Sequence, residues 1–258
     1  MTAPERLTVH GIGLEVVRRG SGRTIVLLHG MQTVAPGSRF VELLAARGEV
    51  IAPSSPGFGH SPRPGDFDSI YDLVHLYRAM LDSLPGDDIT LIGLSFGGWL
   101  AAEVAATCPA RLGRLVLIDP VGIKISDRET ADILDVFNRS PDEVRAATWH
   151  DPDRNAPDFD AMEDEDIVVH ARNRDALCLY GWHPYLYNPH LPRWLGRITV
   201  PTLVLWGESD GIVSPDYGRA YAGLIPGARF ETIPAAGHQP ESEQPDATAA
   251  KIAAFIAT

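Results

Sequence analysis

The stretch Ile89–Gly98, ITLIGLSFGG, decides the fold of this 258-residue chain. Its first six residues form an apolar run of strand length, and Phe96–Thr107 (FGGWLAAEVAAT) has the composition of a helix. Gly93 and Gly97 flank Ser95 in the pattern G-x-S-x-G, which is typical of a nucleophile elbow when it joins a strand to a helix. Bulky side chains beside the serine would collide in so tight a turn. We therefore predict a strand, a sharp turn that exposes the Ser95 hydroxyl, and a helix.

Further apolar runs recur on both sides of this stretch and are separated by amphipathic segments. The predicted strands are Thr24–His29, Glu49–Pro53, Ile89–Leu94, Leu115–Asp119, Thr202–Trp206 and Ala228–Pro234, with an antiparallel edge strand at Leu14–Arg19. The predicted helices are Ser38–Arg47, Ile70–Leu84, Phe96–Thr107, Pro215–Leu224 and Asp246–Ala257. Runs that are apolar on both faces suit parallel strands covered by helices. Their alternation with helices predicts an α/β fold with a mostly parallel, doubly wound sheet.

One segment, residues 121–195, interrupts this alternation because it contains no convincing core strand. It holds an acidic run, Asp151–Asp166, which we interpret as a solvated face, and an aromatic and proline-rich stretch, Tyr180–Trp194. A stretch this long is not a plain loop. We predict a helical insertion over one end of the sheet, after the sixth core strand. The predicted domains are a core of residues 1–120 and 196–258 and an insertion of residues 121–195.

Composition and charge exclude several classes of protein. Hydrophobic residues make up 45% and charged residues 22%, which is ordinary globular usage. The 34 acidic and 22 basic residues give a net charge of −12, which disfavours a nucleic-acid partner because an acidic surface repels phosphate. No apolar run is long enough to span a membrane, and Met1–Gly20 lacks the apolar core of a signal peptide. We therefore expect a cytoplasmic protein, and no segment indicates an oligomeric state.

The cysteines and the histidine-rich stretch indicate neither a disulfide scaffold nor a metal site. Cys108 and Cys178 are too few for a scaffold and too far apart for a metal site, so we expect two buried free thiols, with one disulfide as the alternative. His170, His183 and His190 match no metal-ligand spacing. The sequence predicts no metal.

The elbow requires two further side chains, since a serine hydroxyl is a poor nucleophile without a base. In this context an acid and then a histidine follow the serine along the chain. Asp210 and His238 each follow a predicted strand, so both lie in loops at the edge where open α/β sheets place their sites. We predict that His238 takes the serine proton and that Asp210 fixes its tautomer. Asp119, which ends another predicted strand, is the alternative acid.

Two backbone N–H groups are predicted to bind an oxyanion. One belongs to Phe96, directly after the nucleophile, and the other to Met31, in the loop after the strand Thr24–His29. Gly30 lets the backbone turn there. The ring of His29 is expected to hydrogen-bond to loop backbone, although the residue is also a candidate for substrate contact.

Aromatic side chains of the insertion are candidates for the wall of a substrate pocket. These are Trp182, Tyr185 and Tyr187, with Trp194 nearby. Packing of the insertion onto the core is an equal alternative, because pockets and cores use the same residue types.

These motifs together resemble the α/β-hydrolase superfamily. The matching segments are Leu27–Gly30 (LLHG), Pro56–Gly59 (PGFG), Gly93–Gly98 (GLSFGG), Val200–Asp210 (VPTLVLWGESD) and Ala236–Pro245 (AGHQPESEQP). The resemblance covers nearly the whole chain outside the insertion, which it identifies as a cap whose residues shape the substrate pocket. It implies an α/β-hydrolase fold and a cofactor-free serine hydrolase with the triad Ser95, Asp210 and His238.

The superfamily also contains enzymes that catalyse other reactions. Haloalkane dehalogenases and epoxide hydrolases carry aspartate where this chain has Ser95. C–C bond hydrolases usually have a glycine- and proline-rich loop after His-Gly and a tryptophan after the catalytic histidine, where this chain has Met31–Thr33 and Gln239. We therefore expect a carboxylesterase-like enzyme that acts on a small ester-like substrate through an acyl-enzyme. A C–C bond hydrolase or lyase, and a ligand-binding protein with negligible turnover, are the alternatives.

Overall fold

A computed structural model describes residues 5–257. Within that range eight strands form one sheet in the order β1-β2-β4-β3-β5-β6-β7-β8. The strands are β1 (Arg6–Val9), β2 (Ile12–Arg19), β3 (Thr24–Leu28), β4 (Glu49–Pro53), β5 (Ile89–Leu94), β6 (Leu112–Ile118), β7 (Thr202–Gly207) and β8 (Arg229–Ile233). The β1–β2 and β2–β4 pairs are antiparallel, and every other neighbouring pair is parallel. The predicted mostly parallel α/β sheet is confirmed.

The helices cover both faces of this sheet. They are α1 (Arg39–Ala45), α2 (Ile70–Ser83), α3 (Phe96–Ala106), α4 (Pro141–Thr148), α5 (Pro152–Asn155), α6 (Asp164–Gly181), α7 (Leu191–Leu195), α8 (Pro215–Gly223), α9 (Pro240–Glu243) and α10 (Pro245–Ile256). Successive side chains of a strand point to opposite faces. In β3, Val26 and Leu28 accordingly pack with α2, α3 and α8, whereas Ile25 and Leu27 pack with α1 and α10. The two cores explain why the strand reads as a continuous apolar run.

The antiparallel end of the sheet differs from the prediction. The predicted edge strand Leu14–Arg19 is the second strand from the edge, β2, and the edge itself is β1. β1 gives little signal because it has four residues, of which only Val9 is buried. A tight turn with positive φ at His10 and Gly11 joins the two strands. The other predicted strands are present, with ends that shift by up to three residues.

Residues 121–195 contain α4 to α7 and a single 3₁₀ turn, Phe159–Ala161, with no strand in this part of the described chain. The segment is bonded to the carboxyl edge of the sheet: Gly59 N–H donates to Asn173 Oδ1 at 2.7 Å, and Tyr180 Oη donates to the Pro56 carbonyl at 3.0 Å. Its acidic side chains between Asp151 and Asp166 are all exposed, as predicted. The domain boundaries themselves stay a prediction.

Both cysteines are free thiols, but the prediction that they are buried is wrong. Cys108 is exposed in the loop after α3, where it bonds to the Arg197 carbonyl at 3.3 Å, and Cys178 is half-buried on α6. Whether a cysteine is buried depends on where its helix or loop lies in the fold, and composition does not reveal that position. Among the described residues, no helix is both long and apolar enough to cross a membrane.

Candidate active site

The G-x-S-x-G turn joins β5 to α3, with Ser95 at φ +47° and ψ −110°. Backbone in this region costs a non-glycine residue on the order of 1–3 kcal/mol, and it persists only where the surroundings hold it. A Cβ on Gly97 would collide with the carbonyl oxygens of Leu28 and His29, and one on Gly93 would collide with the Gly97 carbonyl. The close approach of β3 and β5 to the helix therefore requires both glycines, as the sequence indicates.

The structure brings together the three residues predicted to form a catalytic triad. His238 Nδ1 lies 2.8 Å from Asp210 Oδ2, and His238 Nε2 lies 2.8 Å from Ser95 Oγ. A carboxylate only accepts hydrogen bonds, so Nδ1 carries the ring proton and Nε2 is left to accept from the serine hydroxyl. This arrangement suits a general base next to a nucleophile.

Asp210 is held in place by its second oxygen. Oδ1 accepts from the N–H groups of Ile212 and Val213, at 2.8 and 3.0 Å. Burial lowers the pKa of His238, but the charge of Asp210 and its hydrogen bond outweigh this and raise that pKa above its ordinary value. The pair therefore favours the imidazolium, which is the form that His238 takes after it accepts a proton.

The alternative acid, Asp119, is buried behind this pair. One carboxyl oxygen accepts from Gly207 N–H at 2.9 Å, and the other has no hydrogen-bond partner among the described residues. Burial, and then the negative charge of Asp210, raise the pKa of Asp119 well above its ordinary value. A carboxyl group whose two oxygens bond to Gly207 N–H and to no other described group, and not to the His238 ring, is a poor substitute for Asp210.

The loop after β3 lies against the nucleophile. A Cβ on Gly30 would be 3.4 Å from Ser95 Cβ, and Met31 lines the cavity that opens in front of Ser95. Phe96 is the first residue of α3, where backbone N–H groups have no partner inside the helix. Both predicted oxyanion donors, Met31 and Phe96, therefore belong to segments that adjoin the serine, and α3 adds the favourable end of its dipole.

The alpha/beta hydrolase family model matches residues 25–251. The chain belongs to this family. It is 28% identical to the biotin biosynthesis bifunctional protein BioHC of Teredinibacter turnerae, over 90% of this chain and 44% of that protein, so it spans less than half of this relative. It is 27% identical to the 2-hydroxy-6-oxo-6-phenylhexa-2,4-dienoate hydrolase of Burkholderia cepacia, over 95% of this chain and 93% of that one.

A solved structure has the same fold. The enzyme of the same description from Rhodococcus sp. strain RHA1 superposes with a TM-score of 0.79 at 21% identity, over 99% of each chain. At that identity the likeness concerns the fold alone.

The cavity in front of Ser95 and His238 has a volume of about 100 Å³. Its wall is mostly aliphatic, and residues 121–195 supply much of it: Val121, Val136, Val144, Leu177 and Leu186. Ligand pockets for drug-sized molecules measure roughly 300–1,000 Å³. This α/β hydrolase therefore has room for a small substrate with an apolar part.

Four residues predicted as substrate contacts, His29, Trp182, Tyr185 and Tyr187, are not in the lining of this cavity. His29 Nδ1–H donates to the Gly30 carbonyl at 2.8 Å, and Nε2 accepts from Ser55 N–H at 2.9 Å, which are the expected loop bonds. Burial lowers the pKa of His29 to about 4, so the ring is neutral near pH 7.

The three aromatic residues pack within the insertion instead. Tyr185 bonds through its hydroxyl to backbone at Leu134 and Val136, and Trp182 packs edge-on against Tyr185 and Phe137 with 55% of its surface exposed. Tyr187 forms a backbone bridge to Gly122. Aliphatic side chains line the cavity instead, among them Val144 on α4 and Leu177 on α6.

Sequence reasoning missed the residues that fix the His238 loop. His238 N–H donates to the Thr148 carbonyl at the end of α4, at 2.7 Å. Glu243 on α9 accepts from Gly237 N–H at 2.5 Å and from His150 N–H at 3.0 Å, and so ties this loop to the insertion. The only sequence signal for Glu243 is its position in the segment Ala236–Pro245.

Glu241 is the other residue that sequence reasoning missed. It lies on α9, is half-buried, and lines the cavity beside His238 and Gln239. Burial raises its pKa to about 7, and the nearby His238 offsets part of that rise. The cavity therefore contains a carboxyl group that titrates near neutral pH.

A second depression lies elsewhere on the described part of the chain. It measures about 200 Å³ and lies at the amino ends of β3 and β5, away from the triad. One of its charged side chains, Asp88, pairs with Arg23 at 3.3 Å and with the neighbouring Arg114 at 2.7 Å. Within residues 5–257, no group of three or more histidine, cysteine or acidic side chains is arranged to hold a metal ion.

Proposed function

We propose that this α/β hydrolase is a cofactor-free serine hydrolase that cleaves a small carboxylic ester through an acyl-enzyme. The observation that carries the proposal is the chain of hydrogen bonds from Ser95 through His238 to Asp210, which opens on a mostly aliphatic cavity. Each of the three groups has the bonding partner that ester hydrolysis requires.

In the proposed reaction, Ser95 Oγ attacks the ester carbonyl carbon while His238 Nε2 takes its proton. The N–H groups of Met31 and Phe96 donate to the oxyanion, and each such donor contributes about 10²–10³ in rate in a serine hydrolase. His238 then gives the proton to the leaving alcohol oxygen. A water molecule, activated by the same nitrogen, releases the acid and regenerates Ser95.

The C–C bond hydrolase alternative is supported by the Burkholderia cepacia relative, whose name describes a dienoate substrate. A dienoate carries a carboxylate, and a buried carboxylate needs a cationic or hydrogen-bonding partner. The lining of this cavity offers the neutral side chains of Gln32 and Gln239 but no arginine or lysine, and it includes the carboxyl group of Glu241. The carboxyl group of Glu241, with no arginine or lysine beside it in the lining, disfavours an anionic substrate and favours a neutral or cationic ester.

The test is hydrolysis of nitrophenyl esters from acetate to dodecanoate by the wild type, Ser95→Ala and the control Ser21→Ala, which alters an exposed serine before β3. We expect the highest kcat/KM for the shortest acyl chains, because the cavity is small. Loss of Ser95 should lower turnover about 10⁴–10⁶-fold, whereas Ser21→Ala should match the wild type.

Three outcomes would contradict the proposal. Ester cleavage that survives in Ser95→Ala would mean that another group acts as the nucleophile. Turnover of a dienone acid with negligible ester hydrolysis would favour the C–C bond alternative. Tight binding of an ester without product release would favour the ligand-binding alternative.

A further inference from the structure

We propose that Glu241 is a specificity-determining residue that selects esters whose alcohol part carries a cationic group. This inference rests on the proposed ester hydrolysis, which supplies the leaving alcohol. Glu241 is not needed for the triad chemistry, since the hydrogen bonds of Ser95, His238 and Asp210 do not involve it.

The location of Glu241 is the first support. It lines the same cavity as Ser95 and His238, in which every other lining residue is neutral except His238 itself. The donors beside Glu241, its own N–H and the Ser242 side chain, are neutral, and a buried carboxylate has a substantial desolvation cost unless an opposite charge is also near it. A bound cation meets that requirement.

The charges around Glu241 are the second support. The titratable groups whose charges interact with Glu241 are His238, Glu243 and Asp119. Of these, only His238 can carry a positive charge. Because Asp119 and Glu243 are carboxyl groups, the surroundings of Glu241 are short of positive charge. A cationic ligand would favour the ionised form of Glu241, whereas an anionic ligand would be repelled.

The direction of the reaction assigns the alcohol rather than the acyl part. His238 Nε2 must reach the leaving oxygen in order to protonate it, so the alcohol part lies on the His238 side of the cavity. Glu241 is three residues after His238, and each affects the pKa of the other. A cationic group two carbons beyond the leaving oxygen would therefore approach Glu241.

The experiment compares two esters of the same shape, acetylcholine and its neutral carbon analogue 3,3-dimethylbutyl acetate. A charge-assisted contact predicts that the wild type prefers acetylcholine by about 10–100-fold in kcat/KM. Glu241→Gln should reduce this preference to about 1, and because the preference is the ratio of kcat/KM for two esters of one shape, any change in rate common to both cancels. Glu129→Gln, which removes the same charge from an exposed position, should retain the wild-type preference.

The possible failures are distinguishable. If both esters are cleaved through Ser95 but the wild type shows no preference, or Glu241→Gln keeps it, the inference is wrong and the proposed function stands. If the wild type cleaves neither ester, the proposed function fails, and calorimetry then decides the inference. Choline that binds the wild type no better than 3,3-dimethylbutan-1-ol would overturn it, and preferential binding lost in Glu241→Gln would support it.

Discussion

Replacement of Glu241 by glutamine should change how the stability of the protein depends on pH. Burial raises the pKa of this carboxyl from 4.5 to about 7 in the folded protein. A tenfold change in proton affinity corresponds to about 1.4 kcal/mol. The rise in the pKa of Glu241 therefore corresponds to a free energy of about 3 kcal/mol. Glu241 interacts electrostatically with three titratable groups, His238, Glu243 and Asp119. All three remain in the variant, so the difference between the two proteins reports residue 241 together with its effect on the pKa values of His238 and Asp119.

The direction in which the free energy of unfolding changes with pH depends on whether the folded or the unfolded protein binds the Glu241 proton more tightly. Between pH 4.5 and about 7 the folded protein keeps the Glu241 proton while the unfolded chain loses it. The free energy of unfolding therefore falls as pH rises through this window, and the loss is complete above about pH 7. Glutamine does not titrate, so Glu241→Gln should lack this loss and should gain about 3 kcal/mol relative to the wild type between pH 4.5 and pH 8.

The measurement is urea unfolding of both proteins across that pH range, with Glu129→Gln as an exposed control carboxyl. The linear extrapolation provides the free energy of unfolding at each pH. We expect the wild-type and Glu129→Gln curves to fall together while the Glu241→Gln curve falls less. Parallel curves for the wild type and Glu241→Gln would refute the argument that this carboxyl is desolvated.

Three further predictions concern the triad and the elbow. Asp210→Asn should lower kcat about 10⁴-fold because the wrong His238 tautomer forms. Asp119→Asn leaves the bond between His238 and Asp210 intact and should lower kcat less than about tenfold. Equal losses of kcat would contradict the choice of acid. The kcat/KM for a neutral ester should fall as pH drops below a midpoint above 6.5, because the raised pKa of His238 leaves less neutral base. A midpoint below 6.5 would contradict the role of Asp210. Gly97→Ala should cost about 2–3 kcal/mol in urea unfolding, against less than about 1 kcal/mol for Gly37→Ala, whose new Cβ has open space around it; equal costs would contradict the proposed close approach.

Local sequence predicts a feature well when short-range geometry decides it. The elbow is such a case, because Gly93 and Gly97 are required by backbone contacts within a strand–turn–helix unit. The parallel strands are another, since burial on both faces leaves an apolar run that is visible without any partner. The weak strand β1 lacks this signal, as Val9 is its only buried residue.

The environment of a side chain is a different matter, because it depends on segments far apart in sequence. Trp182 and Tyr185 have the composition of a pocket wall, yet they pack against Phe137 within the insertion. Cys108 has the chemistry of a buried thiol, yet its loop is exposed. Composition indicates what a side chain can do and does not indicate which neighbours it meets.

The sequence by itself determined the α/β architecture, the elbow at Ser95 and the order in which an acid and a histidine follow it. Only the tertiary structure shows that Asp210 and not Asp119 bonds to the His238 ring, because both residues follow strands at the same sheet edge. It also decided that Glu241 faces the cavity. The physical reason is that hydrogen bonds and desolvation act over a few ångströms of space, whereas these residues are separated by up to 143 positions along the chain.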